Sequence, residues 1–155
     1  ALGKVPCGPW TRLSVLGALG REGMLAAMSV EAATTGAVFH AYLEQVLLPE
    51  LRRTKPDAVL VMDNLRAHKT PEVRELLDGS GFAYRYLPAY SPDLNPIEKM
   101  WAKVKALLRS AAKRTKETLW DGICEAFRKV TPQDCHGFFA ACGIPTTATS
   151  TCKPL

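Results

Sequence analysis

The chain has 155 residues, of which 47% are apolar and 23% charged, and 20 Lys and Arg against 15 Asp and Glu give a net charge of +5. This size and composition fit one folded domain with a real core, and they exclude a disordered or fibrous chain. The sequence shows no apolar run long enough to span a membrane and no signal peptide. The positive excess suits an anionic partner without identifying it.

The first half of the chain predicts a hairpin, a helix and a buried strand. Thr11–Leu19 and Met24–Val30 are predicted strands, separated by a "GREG" turn. The next apolar residues have helical spacing, and this helix is expected to end near Pro56: Val38, Phe39, Tyr42, Leu43, Val46 and Leu47. Ala58–Met62, "AVLVM", is a short continuous apolar run that predicts a strand buried on both faces.

The second half predicts one more strand among several helices. Thr70 before Pro71 is a typical N-cap, with a helix expected to about Leu77. The remaining elements are a strand at Phe82–Leu87 and helices at Pro96–Ser110, Glu117–Val130 and Pro132–Cys142. A hairpin followed by alternating units indicates an α/β domain, a mixed sheet flanked by helices, over residues 1–144. The segment 145–155 lacks apolar mass and is predicted to be a disordered tail.

The cysteines predict reduced thiols rather than a disulfide framework. There are five of them and no CxxC pair, which is typical of a cytosolic protein: Cys7, Cys124, Cys135, Cys142 and Cys152. The spacing of Cys135, His136 and Cys142 matches no common zinc site.

Asp63 is the first candidate functional residue, because it ends the buried run 58–62. The carboxyl ends of strands line the ligand crevice in open α/β sheets. The alternative is a turn residue or a helix cap. Thr70 already caps the next helix, so Asp63 is not needed as its cap.

Glu98 is the second candidate, within Tyr90–Trp101, "YSPDLNPIEKMW". With Asn95 as N-cap and Pro96 first in the helix, Glu98 falls at the third position, as the acid of a capping box does. That interpretation does not explain the Ser-Pro-Asp at 91–93. If Glu98 instead meets Asp63, the two carboxylates repel each other unless a hard divalent cation such as Mg²⁺ lies between them. From these residues alone both interpretations stay open.

Two segments resemble a known family. "VMDNLRAHKT" and "YLPAYSPDLNPIEKMWAKVK" closely resemble the DDE transposases of the mariner-related bacterial insertion sequences. That family has an aspartate at the end of a central strand in an Asp-Asn-x-x-x-His context, followed by a glutamate in Tyr-Ser-Pro-x-Leu-Asn-Pro-Ile-Glu. The resemblance extends from about Thr11 to Gly143, and the glutamate motif is far longer than any capping box requires.

The resemblance implies a ribonuclease H-like fold and a Mg²⁺- or Mn²⁺-dependent enzyme that cleaves and joins DNA. Asp63 would be the second acid of the triad and Glu98 the third, both as metal ligands. Asn64 and His68 match positions flanking the metal, as orienting or DNA-contacting groups, although His68 equally fits a plain polar loop residue. The implied partners are transposon ends and target DNA, bound by a homodimer in the synaptic complex, in the bacterial cytoplasm at the nucleoid.

The chain departs from the family at its beginning. The first aspartate of the family ends the central strand that precedes Thr11–Leu19, but "ALGKVPCGPW" stands there with no acid. The N-terminal helix-turn-helix region is absent as well. We therefore expect a piece of a transposase, lacking its first, central strand and inactive by itself. The alternative is a non-catalytic DNA-binding or regulatory remnant, and a ribonuclease H or other nuclease is a third possibility that the Tyr90–Glu98 motif disfavours.

The predicted helix that carries Glu98 also has a basic face. Glu98, Lys105 and Arg109 share one side of the predicted helix, which suits a DNA backbone crossing the site. The alternative is an ordinary solvated face. Trp101, Trp120 and Phe127 are predicted core residues.

Overall fold

The structure, a computed structural model, describes residues 2–5, 13–111 and 116–145, and side chains within 13–111 and 119–145. The predicted tail 145–155 lies outside the described residues except for Pro145, and so do Cys7 and Cys152. The first two residues of the predicted strand at 11–19 also lie outside them.

Three strands form the first sheet. β2 (Ser14–Gly20) and β3 (Gly23–Val30) are antiparallel and form the predicted hairpin, with Leu16 opposite Met28 and a register shift after Ala18. β1 (Leu2–Val5) pairs parallel to the other edge of β3, which is therefore the middle strand. The sequence predicts no strand before residue 11, so the presence of β1 corrects that prediction.

Two short strands form the second sheet. β4 (Val59–Met62) and β5 (Ala83–Tyr86) run parallel, so they require the crossover that the helix between them provides. Their carboxyl ends lie at one edge of the sheet. The residues that follow them are therefore neighbours in space.

The predicted long helix is divided into three parts. α1 (Gly36–Tyr42) begins at Thr35, whose side chain accepts a hydrogen bond from the Val38 amide at 3.3 Å. A π-helical turn, Leu43–Leu47, leads into α2 (Leu48–Thr54). Pro49 explains the widened turn, because proline has no N–H to donate and its ring collides with the carbonyl four residues earlier in an α-helix.

Four further helices follow, each within two residues of its predicted bounds: α3 (Pro71–Gly79), α4 (Pro96–Ser110), α5 (Lys116–Arg128) and α6 (Pro132–Ala141). The Thr70 hydroxyl caps α3 by accepting from the Val73 amide at 3.4 Å, as predicted. Two 3-10 turns, Arg66–Lys69 and Pro92–Leu94, were not predicted.

The first sheet separates two hydrophobic clusters. Ala26 and Met28 of β3 face α1, α2 and the second sheet, whereas Ala27 faces α4 and α5. Trp101 lies in the second cluster, with its ring centroid 5.7 Å from that of Phe127. The predicted core roles of these two aromatic residues and of Trp120 are confirmed.

The prediction that both faces of β4 are buried is wrong. Leu60 and Met62 are each 8% exposed, but Val59 and Val61 are 57% and 52% exposed. The reason is that α4 and α5 cover the hairpin and not the second sheet. No described strand pairs with the outer edge of β2 or with the second edge of β4.

Asp134 at the start of α6 should make folding pH-dependent. Its carboxylate accepts hydrogen bonds from Lys103 and, at 2.9 Å, from the Thr131 amide. These bonds lower the pKa of Asp134 from an ordinary 3.8 to about 2. Because the folded pKa is depressed, the stabilisation is present above pH 3.8 and is lost as the pH falls to about 2. We expect Asp134→Asn to cost about 1 kcal/mol of unfolding free energy at pH 7 and almost nothing near pH 2.

Urea unfolding at the two pH values measures this difference. Glu125→Gln is the matched control, because Glu125 pairs with Lys129 at an exposed site and should matter little at either pH. An equal cost of Asp134→Asn at both pH values would contradict the assignment.

Candidate active site

Asp63 and Glu98 line the same cleft. Asp63 follows β4 directly, and Glu98 lies in the first turn of α4. The cleft encloses about 420 Å³, and its walls come from residues 63–66, residues 87–92, and Asn95 with Glu98. Asn64 also lines it, whereas Lys105 and Arg109 lie further along α4 and outside it. The structure thus brings together the two acids that the sequence singled out.

One oxygen of Asp63 is held by its own loop. Oδ1 lies 2.6 Å from Nδ1 of His68 and accepts a hydrogen bond from the Leu65 amide at 3.3 Å. Partial burial alone would raise the pKa of Asp63. The contact with His68 and the Leu65 amide outweigh this, and the pKa lies below its ordinary value. Asp63 is therefore an anion at neutral pH.

His68 is fixed from three sides. Its ring stacks on Phe39 with centroids 3.8 Å apart, and its backbone carbonyl accepts a hydrogen bond from the Tyr86 hydroxyl at 2.8 Å. Nδ1 is in close contact with Oδ1 of Asp63, although the geometry is not that of a well-directed hydrogen bond. The imidazole is only 14% exposed. This geometry favours an orienting group over a plain loop residue.

Asn64 is oriented by a residue that sequence reasoning missed. Lys69 donates from Nζ to Oδ1 of Asn64, and the same ammonium lies 5.0 Å from the Tyr86 ring centroid. The 3-10 turn that carries Lys69 could not be read from the sequence. Apolar spacing places Phe39 on a helix face and Tyr86 in a strand, but it does not say which polar side chain either residue will contact.

Glu98 is not the partner of a capping box. Asn95 makes no side-chain capping bond, and its amide donates to the Pro92 carbonyl at 3.0 Å instead of to Glu98. A complete capping box exists elsewhere, at Thr131 and Asp134. Glu98 is exposed, and no partner for its carboxylate occurs among the described residues. The capping-box interpretation of Glu98 is wrong, although Asn95 is the N-cap position as predicted and an acid here still suits the helix dipole.

The loop before α4 is tied to the end of β4. The Leu87 amide donates to the Met62 carbonyl at 2.7 Å, next to Asp63. The 3-10 turn Pro92–Leu94 then leads to Pro96, whose fixed φ suits the first position of a helix. These constraints determine where the helix begins, and hence on which side of the cleft Glu98 stands.

The two carboxylates fit a hard divalent cation in part. Mg²⁺ commonly binds one or two carboxylates and completes its shell with water and phosphate oxygens. Asp63 is ionised, and Glu98 has no partner in the part of the chain that the structure describes, so both can offer oxygens to the cleft. Among the described residues no group of three or more His, Cys, Asp or Glu could enclose an ion. A further ligand is therefore needed for a complete site.

Comparison with known proteins gives one family and one fold. The family described as DDE superfamily endonuclease matches residues 5–120. No curated protein matches the chain.

Solved structures of one transposase are similar over most of the chain. The Mos1 transposase catalytic domain, with raltegravir and Mn, has a TM-score of 0.73 at 18% identity, covering 84% of this chain and 72% of that one. The Mos1 mariner paired end complex with Mn has a TM-score of 0.71 at 18% identity, covering 89% and 43%. The Mos1 strand transfer complex has a TM-score of 0.62 at 18% identity, covering 92% and 46%. At this identity the likeness shows the fold, and it confirms the predicted ribonuclease H-like α/β class.

Proposed function

The chain belongs to the DDE superfamily endonucleases, and from this membership we propose that it is the C-terminal part of a DDE transposase catalytic domain. Its reaction would be metal-dependent cleavage and transfer of DNA strands. Asp63 and Glu98 would be the second and third acids of the triad. The observation that carries this proposal is that an ionised aspartate and a glutamate with no partner among the described residues, from different elements, face one cleft.

Each residue around the cleft has a distinct part in this reaction. Bound Mg²⁺ or Mn²⁺ would supply a Lewis acid that activates water or a DNA hydroxyl and stabilises the leaving oxygen. Asp63 and Glu98 would hold the cation. His68 would keep one Asp63 oxygen in place and so leave the other for the cation. Arg66, exposed on the cleft wall, suits a phosphate of the DNA strand.

The first acid of the triad is assigned to a strand upstream of β2. Two of the edges that the described strands leave unpaired, those on β2 and β4, support this assignment. A strand ending in aspartate between these edges would bring a third carboxylate to the end of β4. Without it the chain is expected to be inactive.

This function is tested by measuring DNA nicking by a chain extended upstream, with Mg²⁺ or Mn²⁺ present. The wild-type protein is compared with variants in which Asp63 or Glu98 has lost its charge. The alternative is a non-catalytic DNA-binding or regulatory remnant. Reading the upstream genomic sequence separates the two. A reading frame that continues into a strand ending in aspartate supports the enzyme, whereas a stop codon just before a start near residue 1 supports the remnant.

The partners are proposed by analogy with the similar structures. Those proteins are described as a mariner paired end complex and a strand transfer complex. For this chain we propose transposon ends and target DNA as partners, with a homodimer in the synaptic complex. Among the described residues, no helix is long and apolar enough to cross a bilayer. Residence at the nucleoid of a bacterium, and origin in an insertion sequence, remain predictions.

The basic face of α4 should contribute to DNA affinity through phosphate contacts. Lys105 and Arg109 are exposed and have no ion-pair partner among the described residues. We expect each change to Gln to weaken binding of all DNA sequences and to reduce the slope of log K against log salt by about 0.9. Fluorescence anisotropy over a salt series measures the slope. Lys129→Gln, which removes a charge already paired with Glu125, is the control, and an unchanged slope in the α4 variants would indicate a merely solvated face.

A further inference from the structure

Tyr90 combines two unfavourable features at the wall of the cleft. Its side chain is fully exposed, at 102%, and its φ of 56° is in the left-handed region. A residue with a large side chain rarely adopts this conformation, because its Cβ approaches the following carbonyl oxygen. Within the described residues it is the one non-glycine with positive φ. Tyr90 lines the same cleft as Asp63 and Glu98.

The tyrosine side chain contributes no visible contact to the fold. Within the described part of the chain, its ring packs on no other ring and its hydroxyl makes no hydrogen bond. Asn or Gly would fit the left-handed backbone better. Strained residues with exposed functional side chains are typical of ligand sites, so the ring is expected to act on something outside the chain.

The surroundings of Tyr90 indicate the chemistry of that ligand. Leu65, which lines the same cleft, is 54% exposed, so a second apolar side chain stands open to solvent in its wall. Arg66 beside it is exposed, with no ion-pair partner among the described residues. A flat apolar surface next to a cation matches a nucleobase and its phosphate, as in proteins that bind single strands.

We propose that the Tyr90 ring stacks on an unpaired nucleobase next to the phosphodiester that reacts in the cleft. The inference rests on the proposed function, because it takes the cleft to receive DNA. Stacking would fix the end of the strand while Arg66 contacts a phosphate. Since every base has a flat face, the contact would select unpaired over paired DNA rather than a particular sequence.

Binding of DNA by the full-length protein without divalent ions tests this inference. The probe is a duplex with an unpaired 2-aminopurine at its end, and a fully paired duplex is the comparison. We expect Tyr90→Asn to weaken binding of the unpaired probe by about 5- to 100-fold and to abolish its fluorescence quenching. Tyr90→Phe should behave as wild type, and the paired duplex should bind both variants as before.

The controls separate folding, stacking and the proposed function. Tyr90→Asn should unfold at the same or a higher temperature than wild type, because it relieves the backbone. Equal binding and quenching by Tyr90→Asn and wild type would overturn the stacking role while leaving the proposed function intact. A change in oligomeric state with unchanged DNA binding would overturn it in favour of a protein contact. Wild-type protein that binds neither DNA would refute both proposals.

Discussion

Asp63→Asn and Glu98→Gln should each abolish metal-dependent DNA nicking by the chain extended upstream, with losses well above a hundredfold. Both changes keep the shape of the side chain but remove the negative charge that a hard cation requires. Changing a group that merely supports a metal ligand costs about 10- to 100-fold, so loss of a ligand itself should cost more. Gel analysis of a supercoiled plasmid with Mg²⁺ or Mn²⁺ measures the effect.

The loss should not come from unfolding. Glu98 is exposed and has no partner among the described residues, so Glu98→Gln removes only its interaction with the helix dipole, worth about 0.3–1 kcal/mol. Asp93→Asn is the matched control, because Asp93 is an exposed acid in the 3-10 turn just before α4 but not in the wall of the cleft. It should nick DNA as wild type does. Nicking retained by either Asp63→Asn or Glu98→Gln would disprove the role given to that acid.

Much of the fold could be predicted because local patterns dominate it. Thr70 before Pro71, and Pro96 after Asn95, mark helix starts that the structure reproduces. The exposure of Val59 could not be predicted in this way, because an apolar run reports what a strand is suited to bury and not which neighbours are present. The same limit applies to β1, a short strand without alternation that is defined only by its pairing with β3.

The sequence singles out the two acids of the candidate site, but it does not reveal the residues that hold them in place. Asp63 and Glu98 could be singled out from the sequence. Asp63 directly follows an apolar strand, and Glu98 follows a proline-stiffened helix start, and both positions are typical of functional carboxylates. Phe39 did not stand out, since it fits the apolar stripe of α1 completely. Its contact with His68 depends on tertiary packing between α1 and the turn after β4, which no local pattern encodes.

Phe39→Ala should lower the free energy of unfolding by about 3–5 kcal/mol, as removal of a large buried aromatic ring usually does. Phe39 is 6% exposed and lies in the first hydrophobic cluster, with its ring 6.2 Å from that of Tyr42. The cavity would open beneath the imidazole of His68, so the loop that holds Asp63 would loosen as well. Urea denaturation measures the stability. A cost below about 1 kcal/mol would show that the ring is not packed as described.

Phe39→Leu separates the packing role of this residue from its support of the site. Leucine keeps most of the buried volume, so the unfolding free energy should fall by less than about 1.5 kcal/mol. It does not offer the flat surface on which the His68 ring stacks, and the imidazole should turn more freely next to Asp63. We therefore expect nicking by the extended chain to fall about 10- to 100-fold, as for a lost outer-shell partner. Leu77→Met, a volume-conserving change at a buried residue of the same cluster that has no ring to stack on His68, should leave nicking intact. If Phe39→Leu and Leu77→Met nick DNA equally well, His68 needs no stacking partner, and its contact with Asp63 alone holds the carboxylate.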